Sequence, residues 1–172
     1  MSSERDAPFH DFVLARRAGL VRTATLLTAG NAHLAEDLVQ STLTKLYIAW
    51  PSFQRADNPD GYVRRVLVNA LTDERRRQWW RREQPTSDPP DRPIPAQPGP
   101  GEVDDRLRTA LRELPPRMRA AVVFRYFYDL DVADTADALG CSQGTVKSQT
   151  ARGLDRLRAA LQSHPTEQRV TS

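Results

Sequence analysis

The sequence predicts an all-α protein of two small helical domains joined by a proline-rich linker. Apolar residues recur at helical spacing on both sides of the chain's centre, and no stretch shows strict alternation bounded by turn residues. Between the helical blocks, residues 84–103 hold seven of the thirteen prolines. Proline fixes φ and removes an amide donor, so QPTSDPPDRPIPAQPGPGEV cannot be helix or inner strand. So long a structureless stretch is rare inside one compact domain and ordinary between two. The predicted divisions are 1–83, 84–103 and 104–172. Each flank sits near the lower size limit for a self-sufficient core.

In the first half, Phe9, Phe12, Val13, Leu20, Val21, Ala24 and Leu27 fall at helical spacing until Gly30 breaks the run. From Asn31 a second helix carries Leu34, Leu38, Leu46 and Ala49 beside Ala35, Val39, Leu43 and Trp50. An apolar arc that wide belongs to a central helix or to one that also docks a partner. Pro51 stops it. Asn58-Pro59 reads as an N-cap followed by proline at the first helical position. The helix that follows turns Tyr62, Val63, Val66, Leu67, Ala70 and Leu71 inward and Arg64, Arg65, Asn69 and Asp73 outward, and runs on into ERRRQWWRRE.

The second half opens with a helix from about Val103 to Leu114, which Pro115-Pro116 ends. The next turns Met118, Val122 and Phe127 inward, with Ala121, Phe124 and Tyr128 adjacent. Residues 131–161, DVADTADALGCSQGTVKSQTARGLDRLRAAL, then carry a helix-turn-helix signature. Asp131 caps a short helix ending at Leu139, Gly140 is a left-handed terminator, and Ser142 caps a second helix. Ala136 is small enough for the helices to cross closely, and Val146 points back into the crossing. A second helix so placed enters the major groove, and its outward residues are Gln143, Lys147, Ser148, Ala151 and Arg152.

Charge follows the same division. The net charge is +3 and the pI about 9.4, and 23 of the 25 basic residues are Arg. Arginine forks suit phosphates and guanine edges better than a lysine point charge. Residues 61–82 hold seven Arg against Asp73 and Glu74, whereas 129–139 hold four Asp and no base. Residues 141–162 hold four bases against Asp155 alone. Tyr62, Trp79 and Trp80 among those arginines supply the aromatic platforms and cationic groove that hold single-stranded nucleic acid. Asn69, polar on an arginine-rich face, suits a hydrogen bond to a flipped base edge.

Other classes fall away. No run approaches the roughly 20 apolar residues of a membrane span, and MSSERDAPFHDF has no signal-peptide core, so a cytoplasmic location is expected. One cysteine (Cys141) and three scattered histidines (His10, His33, His164) predict no disulfide and no metal site. Gly140-Cys141-Ser142-Gln143-Gly144 matches the hydrolase elbow G-x-S-x-G, but a helix precedes it and only His164 follows, so no catalytic set is expected.

Two segments resemble the extracytoplasmic-function (ECF) sigma factors of the sigma-70 family, in their actinobacterial sigma-E-like branch. LRELPPRMRAAVVFRYFYDLDVADTADALGCSQGTVKSQTARGLDRLRAAL resembles the family's C-terminal DNA-binding domain. HLAEDLVQSTLTKLYIAW with NPDGYVRRVLVNALTDERRR resembles its N-terminal domain, in the right order. The resemblance implies a sigma factor that binds core RNA polymerase, recognises the promoter −10 and −35 elements and promotes DNA opening. It implies no enzymatic activity and no cofactor, and leaves room for an anti-sigma factor as a further partner. Asp37, Leu38 and Gln40 would dock on the polymerase clamp. Phe53, Asn58, Asp60, Tyr62, Arg65, Asn69, Arg75 and Arg76 would serve the −10 element. Gln143, Thr145, Lys147, Ser148, Ala151 and Arg152 would serve the −35 element. Gln149 stands where many relatives carry Arg, which puts a phosphate contact there in doubt.

The linker's length agrees with two DNA sites. Twenty residues at about 3.1 Å each reach roughly 60 Å, or about 18 base pairs, so the domains are expected to bind separate elements without touching. The rival readings are an autonomous helix-turn-helix regulator, which ordinarily places a ligand or dimer domain in its other half, and a protein that merely titrates polymerase.

Overall fold

The computed structural model describes residues 3–83 and 105–163, with side chains for 4–77 and 105–163. The linker and the Trp79 and Trp80 side chains, both named above, lie outside the described residues.

In the first half, α1 (Ser3–Leu27), α2 (Ala32–Ile48) and α4 (Pro59–Glu83) form a bundle in which α2 packs on both others. Asn31 caps α2, its Oδ1 accepting from the Leu34 amide at 3.0 Å. Pro51 does not simply stop α2. It lies in the first turn of a separate short helix, α3 (Trp50–Gln54), where its missing N–H has no intrahelical partner to lose. Below α3, Phe9, Phe12, Trp50 and Phe53 pack ring against ring at centroid distances of 5.1–6.3 Å.

The second half contains α5 (Asp105–Arg112), α6 (Pro116–Val122), a π-helical turn (Val123–Phe127), α7 (Val132–Leu139) and α8 (Gln143–Ser163). The π turn overturns one expectation. Its wider turns break the 3.6-residue phase, so Phe127 and Tyr128 emerge 39% and 37% exposed instead of packing inward. Phe124, fully buried, holds the core position. At Gly153, a Cβ would stand 2.6 Å from Val122 Cγ2, so only glycine allows α8 this close to α6.

The two halves touch in this structure. Leu20, Ala24 and Leu27 of α1 share one buried cluster with Ala120, Ala121 and Phe124, and α7 lies along α4. The buried Arg119 bridges the halves by donating to the Leu27 carbonyl at 2.9 Å. Its other bonds stay at the α5–α6 junction, to the carbonyls of Leu111 (2.8 Å), Leu114 (3.0 Å) and Arg112 (3.3 Å). Burial, then the charges of Arg75 and Arg112, pull this guanidinium down to about 10.

Candidate nucleic-acid interface

Three local devices build the helix-turn-helix. Asp131 Oδ1 accepts from the Asp134 amide at 2.7 Å and starts α7. Gly140 adopts φ 63°, and its amide returns to the carbonyls of Ala136 and Asp137. Ser142 Oγ accepts from the Thr145 amide at 3.1 Å and starts α8. With Ala136 and Val146 buried in the crossing, α8 turns Gln143, Thr145, Lys147, Ser148, Ala151 and Arg152 to solvent. Ser148 Oγ donates to the Thr145 carbonyl at 3.1 Å, leaving its oxygen free to accept. This row mixes a cation, a guanidinium fork, hydroxyls, an amide and a methyl, the groups that read base edges and phosphates in a major groove.

The second face lies on α4. Asn58 Oδ1 accepts from the Gly61 amide at 2.9 Å and fixes the helix start. Tyr62, Arg65, Asn69 and Arg76 then follow at three-, four- and seven-residue steps along one stripe. Asn58, Tyr62, Arg65 and Asn69 line one cleft of about 390 Å³. Arg64, absent from the candidate set, lines it too; its place in the basic run next to Arg65 was the available signal.

Three candidates do not belong to that face. Phe53 is 7% exposed inside the aromatic cluster, where it meets Tyr62 edge-on at 5.7 Å and supports it from below. Asp60 turns its carboxylate to Arg16 on α1, 2.7 Å away. Arg75 is one position off the stripe and lies within electrostatic reach of Arg119.

On α2, Asp37 and Gln40 are exposed, and Asp37 lies 3.5 Å from His33 one turn earlier. Leu38 is 1% exposed and faces the bundle core, so its side chain cannot meet a docking partner here. Its contribution is to hold the helix that presents the other two. Among the described residues, no helix is long and apolar enough to cross a membrane.

Residues 13–81 match the family Sigma-70 region 2, and residues 104–157 match Sigma-70, region 4. The RNA polymerase sigma-E factor of Streptomyces avermitilis is 34% identical over 175 residues, covering 94% of this chain and 89% of that protein. The chain belongs to the ECF sigma factors. It is an RNA polymerase sigma factor for promoter recognition, of actinobacterial type. The sigma-E factor of Streptomyces coelicolor is 33% identical over 94% of this sigma factor and 90% of its own length. Among solved structures, the sigma factor RpoE of Bartonella quintana, crystallised with the anti-sigma factor NepR, aligns with a TM-score of 0.77. That alignment covers 92% of this chain and 99% of that one at 24% identity, a likeness of fold.

Proposed function

We propose that this sigma factor divides promoter recognition between its two faces. The exposed row on α8, Gln143 through Arg152, reads the −35 element as duplex in the major groove. The α4 stripe with Asn58, Tyr62, Arg65, Asn69 and Arg76 captures the unpaired strand of the −10 element. The exposed side of α2, with Asp37 and Gln40, docks on core RNA polymerase. The observation that carries this reading is the contrast along α8, where Val146 is fully buried while Gln143, Thr145, Lys147, Ser148 and Arg152 are exposed. Such a helix is anchored on one side and presented for reading on the other. Arg65 and Asn69, exposed around a cleft beside an aromatic ring, support strand capture. The chain works with polymerase in the cytoplasm and catalyses no reaction itself. An anti-sigma protein is a further partner, since the Bartonella relative was crystallised with one.

Asn69→Ala tests the −10 assignment. The side chain is exposed, so folding changes little. The mutant holoenzyme should bind closed promoter normally but show weaker permanganate reactivity of −10 thymines. A template with a pre-melted bubble should recover only part of the signal, because the bubble supplies unpairing but not the lost base contact. Normal reactivity on the duplex removes Asn69 from strand capture.

A further inference from the structure

A second trough, of about 380 Å³, runs between α1 and α4 and ends against the π turn. Its shape follows from the sequence. Along α1 the wall is made by Ala15, Ala18 and Gly19, where larger side chains would fill the groove. A Cβ on Gly19 would meet only Arg22 Nη2, 4.0 Å away, so nothing in the chain occupies the space beside it. Val63 and Leu67 line it from α4, and the rings of Phe124 and Tyr128 close its end. The Tyr128 hydroxyl lies 2.6 Å from that of Thr23, a bond that holds the ring in place.

Charge around the trough is one-sided. Arg16, Arg22 and Arg64 line it against a single acid, Asp60, and Asp60 is already paired with Arg16 at 2.7 Å. Arg64 is half-buried, and its Nε is shut away from solvent without an acceptor. Nearly all buried donors in folded proteins find an acceptor, and a charged donor left without one is the more costly. The stripe proposed for the −10 strand runs through Tyr62, Arg65 and Asn69 and makes no use of Arg64.

We propose that this trough binds a small aromatic carboxylate, its ring against the small-residue wall of α1 and its carboxylate on the guanidinium of Arg64, with Arg22 at the rim. Each part of such a ligand supplies what the trough lacks. A carboxylate accepts two parallel N–H bonds from one guanidinium and satisfies the orphan Nε. A flat ring fits a slot with alanine and glycine on one side and aromatic rings at its end. An inorganic anion leaves the apolar walls uncovered, and a neutral hydrocarbon leaves Arg64 without its acceptor. The walls come from both halves of the chain, so an occupant adds its binding free energy to their contact.

The test uses the full chain with naphthalene-2-carboxylate as the probe and naphthalene-2-carboxamide as its neutral counterpart, each followed by calorimetric titration. The acid should bind at least about tenfold tighter than the amide. Arg64→Gln should erase that difference, weakening the acid about tenfold and leaving the amide unchanged. Arg156→Gln, the same loss of charge on the exposed side of α8, should leave both affinities unchanged. Gly19→Leu puts a side chain where the ring lies and should abolish binding of both probes. Its melting temperature should stay at or above the parent's, because leucine is the better helix former and its Cβ meets no close neighbour, so the loss reports a filled trough and not an unfolded chain. Inorganic phosphate should not displace the acid. Equal affinity for acid and amide, displacement by phosphate, binding that survives Gly19→Leu, or no binding of the acid to the parent at millimolar concentration each overturns the site.

Discussion

Arg119→Met removes the guanidinium that joins the two halves and keeps most of its aliphatic stem. Four carbonyls lose a donor, three of them at 2.8–3.0 Å. Taking about 1–2 kcal/mol for each of those three, the loss is about 3–6 kcal/mol. Opposing it is the relief of a buried cation. A guanidinium held at about 10, well below its ordinary value, carries about 3 kcal/mol of unfavourable burial and repulsion, at about 1.4 kcal/mol per pH unit. The variant should therefore be less stable by about 0–3 kcal/mol, a fall in melting temperature of up to about 10 °C for a chain of this size. The sign of the pH dependence follows from the same numbers. The folded value lies below the unfolded one, so the charge-burial penalty operates at all pH below about 10 and fades above it. Between about pH 6 and 9 Arg119 stays charged in both states, and the gap between the proteins should stay constant. Thermal melts followed by far-ultraviolet circular dichroism at three pH values measure it. A variant that melts above the parent's temperature would show that charge burial outweighs the bonds.

Lys147→Ala and Arg152→Ala should each weaken transcription from promoters with a −35 element by about 1–3 kcal/mol while leaving polymerase binding intact; abortive-initiation assays and a polymerase pull-down separate the two. Gly153→Ala should destabilise by about 1–2 kcal/mol despite its gain in helix propensity, because its Cβ meets Val122 at 2.6 Å. Adding Val122→Ala should lower the penalty of the Gly153 change in a double-mutant cycle of urea melts. Gly140→Ala should lose about 1–2 kcal/mol through backbone strain alone, since nothing lies within 4 Å of a Cβ there; Gly140→Asn should lose less in the same melts.

What was legible in the sequence was local. The caps at Asn58, Asp131 and Ser142 and the left-handed Gly140 depend on a few neighbouring residues, and each appears where the pattern put it. Helical phase also gave the exposed row of α8. Leu38 is buried on the apolar arc that phase marks; the docking role given to it, like the −10 role given to Phe53, came from the family resemblance, which does not say what covers a side chain. One π turn erased the phase for Phe127 and Tyr128. The contact of α4 with α7 joins residues about seventy positions apart and leaves no periodic mark. Arg119 was invisible for a further reason: all its partners are main-chain carbonyls, which no side-chain pattern records.

Helix α8 runs unbroken for 21 residues, about 31 Å. Its first turns present the reading row, and its last turns bury Leu157 and Ala160 among the residues of α5 and α6. With Gly153 clasped against Val122 midway, the helix behaves as a shaft mounted in two bearings. It cannot roll a few degrees or slide by half a residue to meet a poorly matched sequence without dragging α5 and α6 along. Adaptation to an imperfect site must then come from the duplex, through local bending or a change in groove width. Promoter strength on this chain should accordingly track the deformability of the −35 duplex as well as its base sequence.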